Sequence, residues 1–106
     1  MESASEQLER SGFERGCPLA AVALEISPES QSLRTALAEA FGAMRTRIAS
    51  AFVLAGETPR EASALAALCI SAYEGALLQA RAGQSVEVIR SSFRALGTLL
   101  SHRLPA

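Results

Sequence analysis

Residues 63–79, SALAALCISAYEGALLQ, form a helix-length run in which only Glu74 and Gln79 carry strongly polar groups beyond the serines. A helix that is apolar on every side cannot lie on a surface with one face in water, so it has to be covered from several directions. A chain of 106 residues buries about two-thirds of its unfolded surface, enough for one core and little more. It has little material of its own to wrap such a helix. A second copy of the same chain is the natural source of the missing cover, and the run therefore points to a helical domain that dimerises.

The rest of the chain agrees with helix. All 10 basic residues are Arg and all 11 acidic residues are Glu, and alanine is abundant. Ala, Leu, Arg and Glu are strong helix formers, and few residues here favour strands. The net charge is −1. A face that binds nucleic acid needs clustered cations to displace counterions. Here the arginines are scattered among the glutamates, so no direct nucleic-acid contact by this chain is expected. The opening MESASEQLER is polar and acidic, unlike a secretory signal. Glu74 and the small residues make the long apolar run a poor membrane span. A cytoplasmic chain without a membrane partner is expected. Cys17 and Cys69 lack metal or redox spacing and read as small thiols, buried in a reducing compartment.

Residues 1–16 read as a poorly ordered leader, with Leu8 and Phe13 as its apolar anchors and Gly16 at its end. The domain proper is expected over 17–104. Pro18 opens a short helix over 18–26. Ser27 as N-cap and Pro28 at the first helical position start a second helix, running to about residue 55. Leu33, Leu37, Phe41, Met44, Ile48 and Phe52 fall on one stripe of it, and Gly56 is its stop. Thr58, Pro59 and Glu61 make a capping box with proline at the first position, so a third helix begins there and runs to about 82, with Gly83 as the stop. A fourth helix spans about 85–103. Its apolar positions Val86, Ile89, Phe93, Leu96 and Leu100 form a strict a/d seam, the pattern of helices packed at a shallow angle. The expected fold is all-α, with one short and three long helices. The last two form an antiparallel hairpin, and two hairpins from two copies build a homodimeric four-helix bundle with a self-complementary interface.

The third helix sharpens this picture. Ser63, Ala67, Ser71 and Gly75 recur every four residues, with Ala64, Ala72, Ala76 and Ala80 on the neighbouring ridge. Glycine in mid-helix costs about 1 kcal/mol relative to alanine. Close approach of a partner helix would offset that cost; the other reading is a tolerated glycine on a helix that packs only within its own chain. The expected interface takes Ser71, Glu74, Gly75 and Leu78 from the third helix and Val86, Ile89, Phe93, Leu96 and Leu100 from the fourth. Glu74 sits in apolar surroundings and needs a cation or water. It reads either as the partner of an arginine such as Arg45, Arg90 or Arg94, or as a polar anchor facing a ligand cavity with Tyr73 beside it. Met44, Ile48, Phe52, Leu65, Leu68 and Cys69 are then candidates to line that cavity, though the same residues suit a plain core.

Catalysis is not expected. His102 is the single histidine and lies in the last helical turn, where a cation suits the helix dipole. There is no glycine-rich phosphate loop, no carboxylate pair on a tight loop and no nucleophile with a base at a motif spacing. No metal and no cofactor are expected.

GCPLAAVALEIS, then LRTALAEAFGAMRTRIASAF, then ASALAALCISAYEGALLQARAGQSVEVIRSSFRALGTLL, in this order and spacing, resemble the C-terminal half of TetR-type transcriptional regulators, with the LmrA/YxaF-like subgroup the nearest in pattern. The resemblance covers about residues 12–101. Its most specific pieces are Gly16-Cys17-Pro18-Leu19, and Glu74-Gly75-Ala76-Leu77-Leu78 followed by Ala80-Arg81. It implies an all-α regulatory domain whose last two helices build a homodimer bundle. It also implies that earlier helices enclose a pocket for a small, often hydrophobic effector, which shifts a two-state equilibrium and releases the operator. Such regulators begin with a helix-turn-helix domain, and this chain starts just before the Gly-Cys-Pro-Leu segment. DNA binding is therefore expected from an attached or partner domain. Two roles stay open: the effector-sensing and dimerisation domain of a repressor, or a stand-alone interaction module that forms heterodimers with a full-length regulator.

Overall fold

Two buried clusters hold together three helices: α1, Gln31–Leu54; α2, Pro59–Gly83; and α3, Glu87–Arg103. The computed structural model describes residues 30–103, and these contain helices and turns but no strand. The expected leader, the Gly-Cys-Pro-Leu segment with Cys17, the short helix over 18–26 and the Ser27-Pro28 start lie outside the described residues.

The three long helices fall where their stripes and caps place them, with local differences. α1 begins at Gln31, preceded by Ser30 with ψ 68°, outside the helical range. At its other end Gly56 has φ 110°. The Gly56 N–H donates to the Val53 carbonyl at 3.0 Å and the Glu57 N–H to the Phe52 carbonyl at 3.0 Å. This is the paired C-terminal motif that glycine serves best. Two residues later Thr58 caps α2, its Oγ1 accepting from the Glu61 N–H at 3.2 Å, and Pro59 occupies the first helical position.

The stop of α2 differs from expectation. Gly83 is still helical, and the left-handed residue is Gln84, at φ 50°. The Ser85 N–H reaches back to the Ala80 carbonyl at 3.2 Å, so the same reverse turn forms one residue later than the glycine. A side chain in the left-handed region costs roughly 1–2 kcal/mol. Gln84→Gly is therefore expected to stabilise the fold by about 0.5–1 kcal/mol, read as a raised urea midpoint. A lowered midpoint would mean that the glutamine side chain does something glycine cannot.

α2 is the central element and packs on both neighbours. Phe52, Ala62 and Leu65 form one cluster, with Ile48, Ala49, Cys69 and Leu100 against it. Ala76, Leu77, Ala80, Val86 and Ile89 form the other, with Tyr73 and Val88 alongside. Four of the α2 residues buried in these faces are alanines (Ala62, Ala66, Ala76 and Ala80). Small side chains let the helices approach closely; Ala76 and Ala80 come from the second small-residue ridge, whose Ala64 is exposed, while Ala62 and Ala66 lie on neither ridge.

The hairpin of α2 and α3 is antiparallel, because the last turn of α3 lies at the start of α2. Arg103 Nε donates to Glu57 Oε1 at 3.0 Å, and Arg103 Nη2 donates to Glu61 Oε2 at 3.0 Å. Glu61, expected to complete the capping box, spends its carboxylate on Arg103. The hydrogen bond to Glu57, and the charge of that carboxylate, push the Arg103 guanidinium further toward its protonated form. The pairing is exposed at Arg103, so salt should screen it. Arg103→Gln is expected to lower the melting temperature slightly in dilute buffer, with the difference vanishing in molar salt. A difference that survives salt would point to packing rather than charge.

By length and apolarity α2 is sufficient to cross a bilayer, so Glu74 and the small residues do not by themselves disqualify it as a span. One side of it is buried against α1 and α3, and the other carries exposed Leu68 and Leu78.

Candidate functional site

Three features of the described residues stand outside plain core packing: an outward seam on α2, a buried carboxylate beside it, and a groove between α1 and α2.

Ala64, Leu68, Ser71, Gly75, Leu78 and Ala82 step by four, three, four, three and four along α2, which is a heptad seam. The seam faces away from the two clusters. Leu68 is 51 % exposed and Leu78 is 45 % exposed. The Ser71 hydroxyl is turned back onto the Ala67 carbonyl at 2.8 Å, so it offers the surface no free donor. A Cβ built on Gly75 meets nothing within 4 Å. Nothing among the described residues therefore needs the glycine, although it weakens the helix that carries it.

Glu74 adjoins that seam. Both of its carboxylate oxygens are buried, without a hydrogen-bond partner among the described residues. Within the one chain Glu74 makes no pair with Arg45, Arg90 or Arg94, and the expected pairing across a dimer is left as the other form of that reading. Arg90 is engaged instead by Glu87, one turn away, at 2.9 Å, and Arg45 lies in the groove on α1.

The interface candidates divide accordingly. Ser71, Leu78 and Phe93 are exposed, and Glu74 and Gly75 are half-buried. Val86 and Ile89 are buried in the α2–α3 cluster. Leu96 is half-buried, and Leu100 packs against the Phe52 cluster. The a/d seam of α3 thus begins as an intrachain seam, because α2 is the nearest apolar surface for it to cover.

The pocket candidates divide as well. Phe52 and Leu65 are buried together, with Ile48 and Cys69 half-buried against them. Met44 is half-buried on the same stripe of α1, and Leu68 lies on the outward seam. Tyr73 belongs to the other cluster, its ring stacked on Phe93 with centroids 6.1 Å apart. Burial pushes the Cys69 thiol up from its ordinary value, which makes it a poorer nucleophile.

The open space lies elsewhere. A groove of ≈ 770 Å³ runs between α1 and the first turns of α2, lined by Arg45, Ala49, Val53 and Leu54 from one side and Pro59 and Ser63 from the other. Arg45, Ala49 and Val53 step by four along α1, one position on from the core stripe. That spacing is the signal that could have found the groove, but two alanine-rich helix sides give no hint that they stand apart. Thr46 and Ser50, also in the wall, donate their hydroxyl protons to the carbonyls of Gly42 and Thr46 at 3.0 and 2.9 Å. Arg45 makes no ion pair among the described residues, and its Nη2 lies 3.6 Å from where a Cβ on Gly42 would stand. Its guanidinium is therefore folded along the groove wall. No three His, Cys, Asp or Glu side chains converge among the described residues.

Comparison with known proteins places this arrangement in a family. Residues 1–95 match the family described as transcriptional regulator LmrA/YxaF-like, C-terminal domain. Two uncharacterized HTH-type transcriptional regulators of Mycobacterium tuberculosis, MT0206 of strain CDC 1551 and Rv0196 of strain H37Rv, are each 34 % identical to the chain, over 94 % of its length and 54 % of theirs. The chain thus spans about half the length of the curated relatives it matches. No solved structure matches it significantly.

Proposed function

We propose that this chain, which belongs to the LmrA/YxaF-like family of TetR-type transcriptional regulator C-terminal domains, senses a small apolar effector and dimerises, and so controls DNA binding by an attached or partner helix-turn-helix domain. Residues 17–104 are the regulatory domain in this reading, and a regulator acting on DNA works in the cytoplasm.

The observation that carries the reading is the outward α2 seam with open space at Gly75. A second copy laid across that seam would cover Leu68 and Leu78, use the glycine for close approach, and surround Glu74. A buried carboxylate needs a partner, and a cation from the second copy would supply one. The α1–α2 groove supports the sensing half. Its volume falls within the usual range for small-molecule sites, roughly 300–1,000 Å³. Groove and seam share α2, so a ligand that changes how α1 rests on α2 favours one dimer geometry over another. Such differential affinity is what allosteric coupling requires.

A reporter strain tests this directly. The chain is fused to a DNA-binding domain that represses only when dimerised from outside. Repression is expected from the fusion, and relief of repression by a member of a library of small apolar molecules. Repression no better than that of the unfused DNA-binding domain would sink the dimerisation half, and repression that no compound relieves would count against sensing.

A further inference from the structure

We infer that the α1–α2 groove takes an amphipathic anion, with an apolar body and a carboxylate, sulfonate or similar acid at one end, held by Arg45. The inference rests on the reading of this groove as the effector site and adds an acidic head to the apolar body proposed there.

Charge is the first ground. Among the described residues Arg45 is the one ionisable residue in the groove wall, and no carboxylate of theirs neutralises it. Its guanidinium lies over Gly42, so it presents its planar fork along the wall. A planar fork matches a two-oxygen acid by paired hydrogen bonds. Thr46 and Ser50 have committed their protons to the helix backbone, so they offer the groove lone pairs only, and Arg45 alone supplies donors to an acid. An ammonium head would face the like charge of Arg45.

The other end is apolar. Val53, Leu54 and Pro59 line it, and Leu54 is 89 % exposed, a leucine waiting for cover. Arg45 and Leu54 are nine residues apart on one helix, about 13 Å at 1.5 Å per residue. The ligand that spans them has an acid at one end and a flat or extended apolar body about that long.

The test is a fluorescence titration of the full chain with 1-anilinonaphthalene-8-sulfonate and with its uncharged counterpart N-phenyl-1-naphthylamine. Arg45→Gln is an exposed-site change that keeps the fold. It is expected to weaken binding of the sulfonate roughly tenfold, about 1.4 kcal/mol, and to leave the neutral dye unchanged. Ser63→Phe, which fills the groove from the α2 side, is expected to weaken both. Sulfonate affinity unchanged in Arg45→Gln would overturn the acid assignment while leaving the groove as a site for neutral effectors. Binding of both dyes unchanged in Ser63→Phe would overturn the groove itself. Dimerisation, read separately by sedimentation, is untouched by any of these outcomes.

Discussion

Gly75→Leu is expected to turn a dimer into a monomer without weakening the fold. Among the described residues of its own chain the new side chain enters open space, since a Cβ at this position meets nothing within 4 Å. Leucine is also the better helix former, by roughly 0.8 kcal/mol. A purely intrachain role for Gly75 thus predicts an unchanged or raised melting temperature and nothing else. Where a partner helix crosses at the glycine, the leucine forces the two axes apart by a large part of the 8–10 Å range over which packed helices sit. Loss of that crossing should weaken association by about a hundredfold or more, equivalent to some 3 kcal/mol. Sedimentation equilibrium at micromolar concentration distinguishes the two. Parent and Gly75→Leu chains with the same mass would show that the contact face lies elsewhere. Arg60→Ala, at an exposed position off the seam, is the control and should leave the mass unchanged.

The second large effect concerns Phe52. It is 9 % exposed and packs with Ala62 and Leu65 at the end of the molecule where α1 turns into α2. Phe52→Ala is expected to destabilise the chain by about 3–5 kcal/mol, the usual cost of a cavity this size. Small domains hold only about 5–15 kcal/mol in all, so the variant should be partly unfolded at ambient temperature. Its urea midpoint checks this. Phe52 is also one of the residues proposed to line a ligand cavity. A midpoint near that of the parent, with altered dye binding, would favour that role over core packing.

Much of the fold could be read from local chemistry. Thr58-Pro59 and Gly56 mark their helix ends because capping and left-handed turns are decided by a few adjacent residues. The α1 stripe through Leu37, Met44 and Phe52 is legible because burial on one face repeats at the helical period. The turn after α2 was not, because glycine at 83 and glutamine at 84 can both end a helix, and tertiary packing of Val86 on Ala80 decides the register. Nor could the sequence say which helix the α3 seam meets. Periodicity states that Val86, Ile89 and Phe93 share a face, and two of them turn out to cover α2 of their own chain. Glu74 was legible as an anomaly, but that its carboxylate is buried without a hydrogen-bond partner among the described residues is decided by tertiary packing. The groove was invisible for the opposite reason: Ala49, Ser50 and Ser63 are ordinary helix-surface residues, and only the divergence of two axes makes them walls.

The Arg103 contacts with Glu57 and Glu61 have a mechanical consequence. They tie the last turn of α3 to the start of α2, and the short link through Gln84 ties the opposite ends, so this hairpin is fastened at both extremities. α1 is joined to it through the Gly56 turn at one end. The groove lies close to that fulcrum and Gln31 lies far from it, about 37 Å away at 1.5 Å per residue. A wedge that tilts α1 by roughly 5° would swing Gln31 through about 3 Å over that length. A ligand wedged into the groove would on this geometry displace α1 least at the Gly56 turn and most at Gln31.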